Sequence, residues 1–376
     1  MTETKVSLMS SGVPPLEPDA ERPARAGAVR EHYRRLVARR VAVIIVLLAL
    51  LVMLAFLALC AGAASFGWRE ALKALLAGPW QKAGAGGLSQ TVVWQLRMPR
   101  ICMGILAGGA LGMAGAMMQG LLRNPLASPF TLGIASASGF GAALAISLGV
   151  GIAGWGQWLI VGNAFLFALL ASGVVFVLAQ WRGMSKETMI LAGVATMYLF
   201  SALTSLLQYL GDMEQVNSVV FWLLGSLERA TWLRCGLVAV VALATFPWMY
   251  ALSWDLNVMG SGDEAAQSLG VSVKRVRTTG MFLASLATAG VICFSGTVGF
   301  IGLVAPHISR MLVGVDHRFH MPASLLTGAV LLVAADLAAR TVLPPHVLPL
   351  GIMTACVGVP FFFYLVVRHR KEIWQK

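Results

Sequence analysis

The residues of this chain that could do chemistry come in short clusters between long apolar runs. Pro306, His307 and Arg310 close the stretch "GFIGLVAPHISR" (299–310): a helix breaker, a titratable ring and a guanidinium at the end of membrane-core sequence. Asp336 and Arg340 lie four residues apart in "VAADLAAR", a spacing that puts opposite charges on one helix face. An acid inside an apolar run is either half of such a pair or a proton relay of an ion-coupled carrier, and the local pair is favoured here. In "SGDEAAQSLG" (261–270), Ser261 as N-cap with Glu264 three residues on reads as a capping box, and Gly270 fits the position just past a helix end. That predicts a helix of about two turns, Asp263 to Leu269, through Ala265, Ala266, Gln267 and Ser268. A helix so short is unstable alone, so it reads as an element that docks on something; a solvated loop with a chance cap is the alternative.

Other chemistry finds little support. The five cysteines (Cys60, Cys102, Cys235, Cys293, Cys356) lie in or beside apolar runs without a C-x-x-C; they read as small packing residues, and no metal site is expected. Met103, Met113, Met117 and Met118 share one segment with five glycines and read as packing rather than as a passage for a soft ligand. There is no G-x-x-x-x-G-K-[ST] loop, so ATP is not bound by that device. No span or loop gathers a set of catalytic groups, and the chain is not read as an enzyme.

What positions these residues is a membrane. Of 376 residues, 58% are hydrophobic and 12% charged, against about 25% charged in soluble domains. The net charge of +12 sits mostly in short segments between apolar runs, a positive-inside pattern rather than a nucleic-acid stripe. Residues 1–40, with Pro14, Pro15, Pro18 and Pro23, read as a disordered cytoplasmic tail, and 41–371 as one transmembrane domain. At about 20 residues per crossing, ten spans fit: near 41–64, 101–119, two within 125–181, 188–210, 235–254, two within 278–309 bent at "SGTVG", 320–339 and 349–367. "VNSVVFWLLGSL" (216–227) is too short to cross and reads as a surface helix. Charge bias puts both termini and the loop 257–277 in the cytoplasm; the loop before the second span, with Arg69, Lys73, Lys82, Arg97 and Arg100, is an exception. Gly104, Gly108, Gly112 and others at four-residue spacing predict close helix packing. Two five-span halves, each with a proline-marked stretch ("RNPLASP", "VAPHISR"), hint at an inverted repeat.

Taken in order, "LRMPR" (96–100), "RNPLASPFTLG" (123–133), "LAGVA" (191–195), "GDEAAQSLGV" (262–271), "GTVGFIGLVAPHISR" (296–310), "DHR", "AADLAAR" and "LPLGIMTACVGVPFF" resemble the permease subunits of bacterial ABC importers for iron chelates, heme and cobalamin. The likeness covers about residues 41–371; Val347 stands where the family's "E-L-P-x-G" motif commonly has Glu. The resemblance implies an all-α, ten-helix, homodimeric permease of the cytoplasmic (inner) membrane that binds no cofactor itself. Two ATP-binding subunits would use ATP and Mg, and a periplasmic or lipid-anchored substrate-binding protein would deliver the cargo. It implies that the predicted helix, with Ser261 and Gly270 at its ends, couples to the ATPase. Arg97, Arg100 and Arg340 would meet acidic residues of the binding protein, and Asn124 and Leu126 would lie at a cytoplasmic gate. His307 and Arg310 then either tie their span to the moving cytoplasmic loops or mark a kink with Arg310 reaching headgroups; heme ligation by His307 is the least favoured reading. From a different class, an ion-coupled carrier acting without an ATPase remains the alternative, with Asp336 essential to it.

Overall fold

The structure is a computed structural model that describes residues 21–61, 67–78, 87–149, 156–181 and 185–368. Among them it is all helical: α1 (Glu21–Cys60), α2 (Trp68–Ala77), α3 (Gly87–Thr91), a π-helical turn (Val92–Arg97) running into α4 (Met98–Leu122), a 3-10 turn (Pro129–Leu132), α5 (Ile134–Leu148), α6 (Gln157–Trp181), α7 (Lys186–Leu210), α8 (Met213–Leu223), α9 (Trp232–Ala251), α10 (Ser253–Met259), α11 (Asp263–Ser268), α12 (Val273–Ser295), α13 (Ile301–Val313), α14 (His317–Thr341) and α15 (Leu350–Arg368). Seven described stretches are long and apolar enough to cross a membrane, and α5, α13 and the start of α15 are shorter apolar helices. At 1.5 Å per residue the 13 residues of α13 reach only about 20 Å, short of the roughly 30 Å hydrocarbon layer.

The glycine-rich helix α4 forms the centre. A methyl group at Gly108 or Gly112 would strike the backbone carbonyl of Gly328 or Ser324 in α14, and one at Gly115 would strike that of Gly302 in α13. The backbones therefore touch, which only the absence of a Cβ permits. Met103, Met113, Met117 and Met118 are all buried on this helix, as packing residues should be. The bend after α12 falls at Gly296–Phe300, where "SGTVG" predicts it. It lies inside the protein: Ser226 donates its N–H to the Ser295 carbonyl at 2.8 Å, Thr297 Oγ1 donates to the Leu223 carbonyl, and Gly351 N–H reaches the Leu224 carbonyl at 2.8 Å. Non-helical backbone at membrane depth needs internal partners of this sort.

Two expectations change. Residues 21–40, read as disordered tail, are the first half of α1. Their Arg, Ala and Glu content favours helix, and Pro23 falls in the first turn, where its missing N–H costs little. Residues 1–20 lie outside the described part. The segment 216–227 is indeed a short helix, α8, but it starts at Met213 behind an Asp212–Gln215 capping box, and its Val219 and Trp222 are buried in the protein.

Candidate functional site

Two clusters of charge stand at opposite ends of α4. At its N-terminal end, Asp336 of α14 is buried between two guanidiniums: Arg100 Nε donates to Oδ1 at 2.8 Å, and Arg340 Nε lies 3.2 Å from Oδ2. The four-residue pair read from "AADLAAR" is thus present, with a third member from a distant helix. Arg340 also donates to the carbonyls of Ala58 and Ala61, and Arg97 donates to those of Leu59 at 2.6 Å and Cys60 at 3.1 Å. Both arginines cap the C-terminal end of α1, whose last carbonyls have no helical partner.

The reading of Arg97 as an outward docking charge does not hold, because it is 5% exposed and committed to those carbonyls. Arg100, with a side chain 14% exposed, and Arg340 line the wall of a cavity of about 670 Å³ together with Arg97, Glu228 and Val347. Part of the exception to the positive-inside count, Arg97 and Arg100, is explained at the same time. These charges lie inside the protein, where carboxylate and carbonyl oxygens take up their hydrogen bonds, so they do not act as free loop charges.

The other end of α4 finishes in a left-handed C-cap at Arg123 (φ 46). Asn124 follows, its Oδ1 accepting from Leu126 N–H at 2.9 Å, which leaves Leu126 exposed at the rim. Beside this turn sits α11, which spans Asp263–Ser268, as the sequence predicts to within one residue. The capping box does not form. The N-cap is Gly262, at φ 118, and Ser261 belongs to the turn that closes α10, where its N–H bonds the Val258 carbonyl. The C-terminal reading does hold: Gly270 has φ 88, its N–H reaches Gln267 O at 2.9 Å, and Val271 N–H reaches Ala266 O at 2.9 Å. That is a Schellman closure, for which glycine is suited.

What holds α11 was not read from the sequence. Asp263 receives Arg123 Nη2 at 2.8 Å and Arg277 Nη2 at 2.9 Å, so one carboxylate joins α11 to the end of α4 and the start of α12. Arg277 also bonds the Leu121 carbonyl. Ala266 is fully buried in the same apolar cluster as Leu121, Leu122, Val273 and Val276, while Glu264, Gln267, Ser268 and Leu269 (71% exposed) face outward. The sequence signal for the clamp, an acid at the first position of a capped helix followed by basic residues, exists but does not name its partners.

Pro306 lies inside α13 with His307 and Arg310 following. The His307 ring meets Phe361 of α15 edge-on, with centroids 5.8 Å apart. Arg310 lines a second cavity, of about 580 Å³, at this end of the bundle. Asp316, the N-cap of α14, lies there too, bonded by Arg318, Arg40 and Asn257. The hydrogen bonds from Arg318, then that from Asn257, hold its carboxyl down at about 2 against the opposing effect of burial.

Apolar helices packed on a glycine-lined centre, with a short exposed helix clamped by ion pairs at one end, define a polytopic membrane protein of the transporter class. A family model described as the FecCD transport family matches residues 50–368. The chain is 40% identical over 353 residues to MJ0087 of Methanocaldococcus jannaschii, described as an ABC transporter permease protein, covering 92% of this chain and 99% of that one. It is 35% identical to the hemin transport system permease protein HmuU of Yersinia pestis, over 74% of this chain and 84% of HmuU. A solved structure described as a metal-chelate-type ABC transporter in an inward-facing conformation superposes with a TM-score of 0.76 at 33% identity, covering 87% of this chain and 99% of that one. The chain belongs to the FecCD transport family.

Proposed function

We infer that this chain is the membrane permease subunit of a binding-protein-dependent ABC importer that moves a metal chelate inward. The observation that carries the reading is α11, in a chain that matches a transport family over most of its length. The helix is capped at its C-terminal end, fixed by Asp263 to two spans and by Ala266 to the core, yet presents Leu269 and polar residues to the outside. Such an element can receive a push from a separate ATP-hydrolysing subunit and pass it to α4 and α12. Asn124 and Leu126 sit on the same turn as Arg123, which supports a gate that moves with that push.

Ten spans per subunit, with α5, α13 and α15 as the short members, and both termini in the cytoplasm of a bacterial inner membrane complete the proposal. A second copy would face α7 and α15. Tyr198, Ser201, Ser205 and Tyr209 form an exposed stripe at helical spacing along α7, polar for a surface facing lipid tails and suited to a path shared between two subunits. A substrate-binding protein would dock at the opposite end, over the cavity that holds Arg100 and Arg340. Heme, ferric siderophores and cobalamin are the cargo classes, the first in line with the hemin named for HmuU.

The ion-coupled alternative rested on Asp336, and its two guanidinium partners account for that residue as structure. The test is capture. The tagged chain, purified from its native host in mild detergent, should carry an ATP-hydrolysing subunit. Loss of that partner on Leu269→Asp, with an unchanged melting temperature, would place the contact at α11; retention would remove it from there.

A further inference from the structure

We propose that the cavity between α1, α4, α10, α13 and α14 is a binding site for an anionic phospholipid headgroup, in particular one that carries hydroxyl groups. Its wall includes Arg40, Arg123, Arg310, Asp316, His317 and Gln119 around about 580 Å³. Asp316 is the one acid in that wall, and its oxygens already serve Arg40, Arg318 and Asn257. Arg123 shares Asp263 with Arg277. Four guanidiniums in and next to the wall thus share two carboxylates, and Arg310 is a fifth with none, which leaves an excess of positive charge without a counter-ion among the described residues.

Arg310 makes the deficit specific. Its Nε–H is buried with no acceptor, and no carboxylate among the described residues pairs with it. A buried donor left without an acceptor is costly, more so when charged, and planar guanidinium suits phosphate oxygens. Two further atoms of the wall residues lack partners: Gln119 Oε1 and His317 Nε2. Asn257 donates its amide to Asp316, so its oxygen accepts from His317 Nδ1–H. The His317 Nε2 of a neutral ring is then an acceptor, as is Gln119 Oε1. The site therefore combines phosphate-binding donors with two partnerless acceptors just behind its surface, which hydroxyls of a glycerol-type headgroup would reach once those side chains turn toward the cavity.

A membrane source is favoured over a free anion by what surrounds the opening. Val315 in the wall is 69% exposed, Met311 and Leu312 next to Arg310 in the chain are exposed apolar residues, and Trp254 at the start of α10 carries Arg318 over its ring at 4.3 Å, like the aromatic anchors of the interface. The first part of α1 adds exposed Arg34, Arg35 and Arg39 before its apolar run, and basic residues at the cytoplasmic end of a span, like basic pockets between spans, attract anionic lipid. That this end faces the cytoplasmic leaflet rests on the function proposed above.

The delipidated chain in neutral detergent, titrated with phosphatidylglycerol, with phosphatidylcholine of the same acyl chains, and with inorganic phosphate, tests this by native mass spectrometry. Phosphatidylglycerol should bind at least tenfold more tightly than phosphatidylcholine and resist displacement by millimolar phosphate. Arg310→Gln should weaken it about tenfold at unchanged melting temperature, Arg310→Lys should keep most of it, and Arg229→Gln, at the other end of the bundle, should change nothing. Equal binding of the two lipids, or full retention in Arg310→Gln, overturns the proposal. Displacement by phosphate would make this a free-anion site. No lipid binding, together with loss of the ATP-binding partner in Arg310→Gln, would assign the cavity to an acidic protein surface. Lipid binding is read without transport, so a failure of the importer reading would leave this result standing.

Discussion

At the scale of residues, most of the charged groups in this chain serve position before they serve partners. Arg97 is the clearest case. Replacing it with Met removes two charge-assisted bonds to the end of α1, each worth about 1.5–3 kcal/mol. The expected outcome is a lower unfolding temperature of the purified chain; an unchanged one would return Arg97 to the role of a rim charge. Arg100 lines the same cavity as Arg97, with a side chain 14% exposed. Arg100→Gln should slow association of the substrate-binding protein several-fold at low salt and flatten its salt dependence, whereas a stability loss at unchanged association rate would make it structural only. Asp316 supplies a pH statement. Its carboxyl is held at about 2, below the ordinary 3.8, so its contribution to stability is complete above 3.8 and fades as pH falls toward 2. Acid unfolding of Asp316→Asn should show a shallower acid limb than the parent, while the two should have parallel profiles between pH 5 and 8. The residue types at these positions were legible in the sequence. Their partners were not, since Arg100 and Asp336, or Arg123 and Asp263, are more than a hundred positions apart and meet only through the packing of α4.

At the scale of elements, α4 and α11 carry the account. The spacing of glycines along α4 announced close approach, and the collisions that a methyl would cause with Gly302, Ser324 and Gly328 locate it. Gly115→Ala, which must push α13 away, should leave little folded protein on gel filtration; normal yield would show that the α4–α13 contact is loose. For α11 the C-terminal signal was sound because Gly270 encodes a backbone angle locally. The N-terminal signal failed because Ser261 was already engaged in closing α10, a neighbour too short to be recognised from apolar periodicity. Ala266→Pro should cost on the order of 3 kcal/mol within the helix and leave ATP hydrolysis running without uptake; tight coupling in that variant would contradict the role given to α11. The first half of α1 was missed for a related reason: proline at residues 14–23 suggested disorder, while the following Ala and Arg residues carry the helix.

At the scale of the molecule, lipid as solvent was legible from composition alone, and the order of the long helices followed from a ruler of about 20 residues. The short members, α5, α13 and the start of α15, were counted as spans but fall below that ruler; α15 begins at a turn bonded to the protein's own backbone, as in Gly351 N–H to the Leu224 carbonyl. The central claim is that this chain moves cargo only with energy supplied through α11 by another subunit. Vesicles reconstituted with the chain and its co-purified ATP-hydrolysing subunit should accumulate a labelled heme, siderophore or cobalamin when ATP and binding protein are present, and not when either is withheld. Accumulation by the chain alone, driven by a proton gradient, would contradict the account.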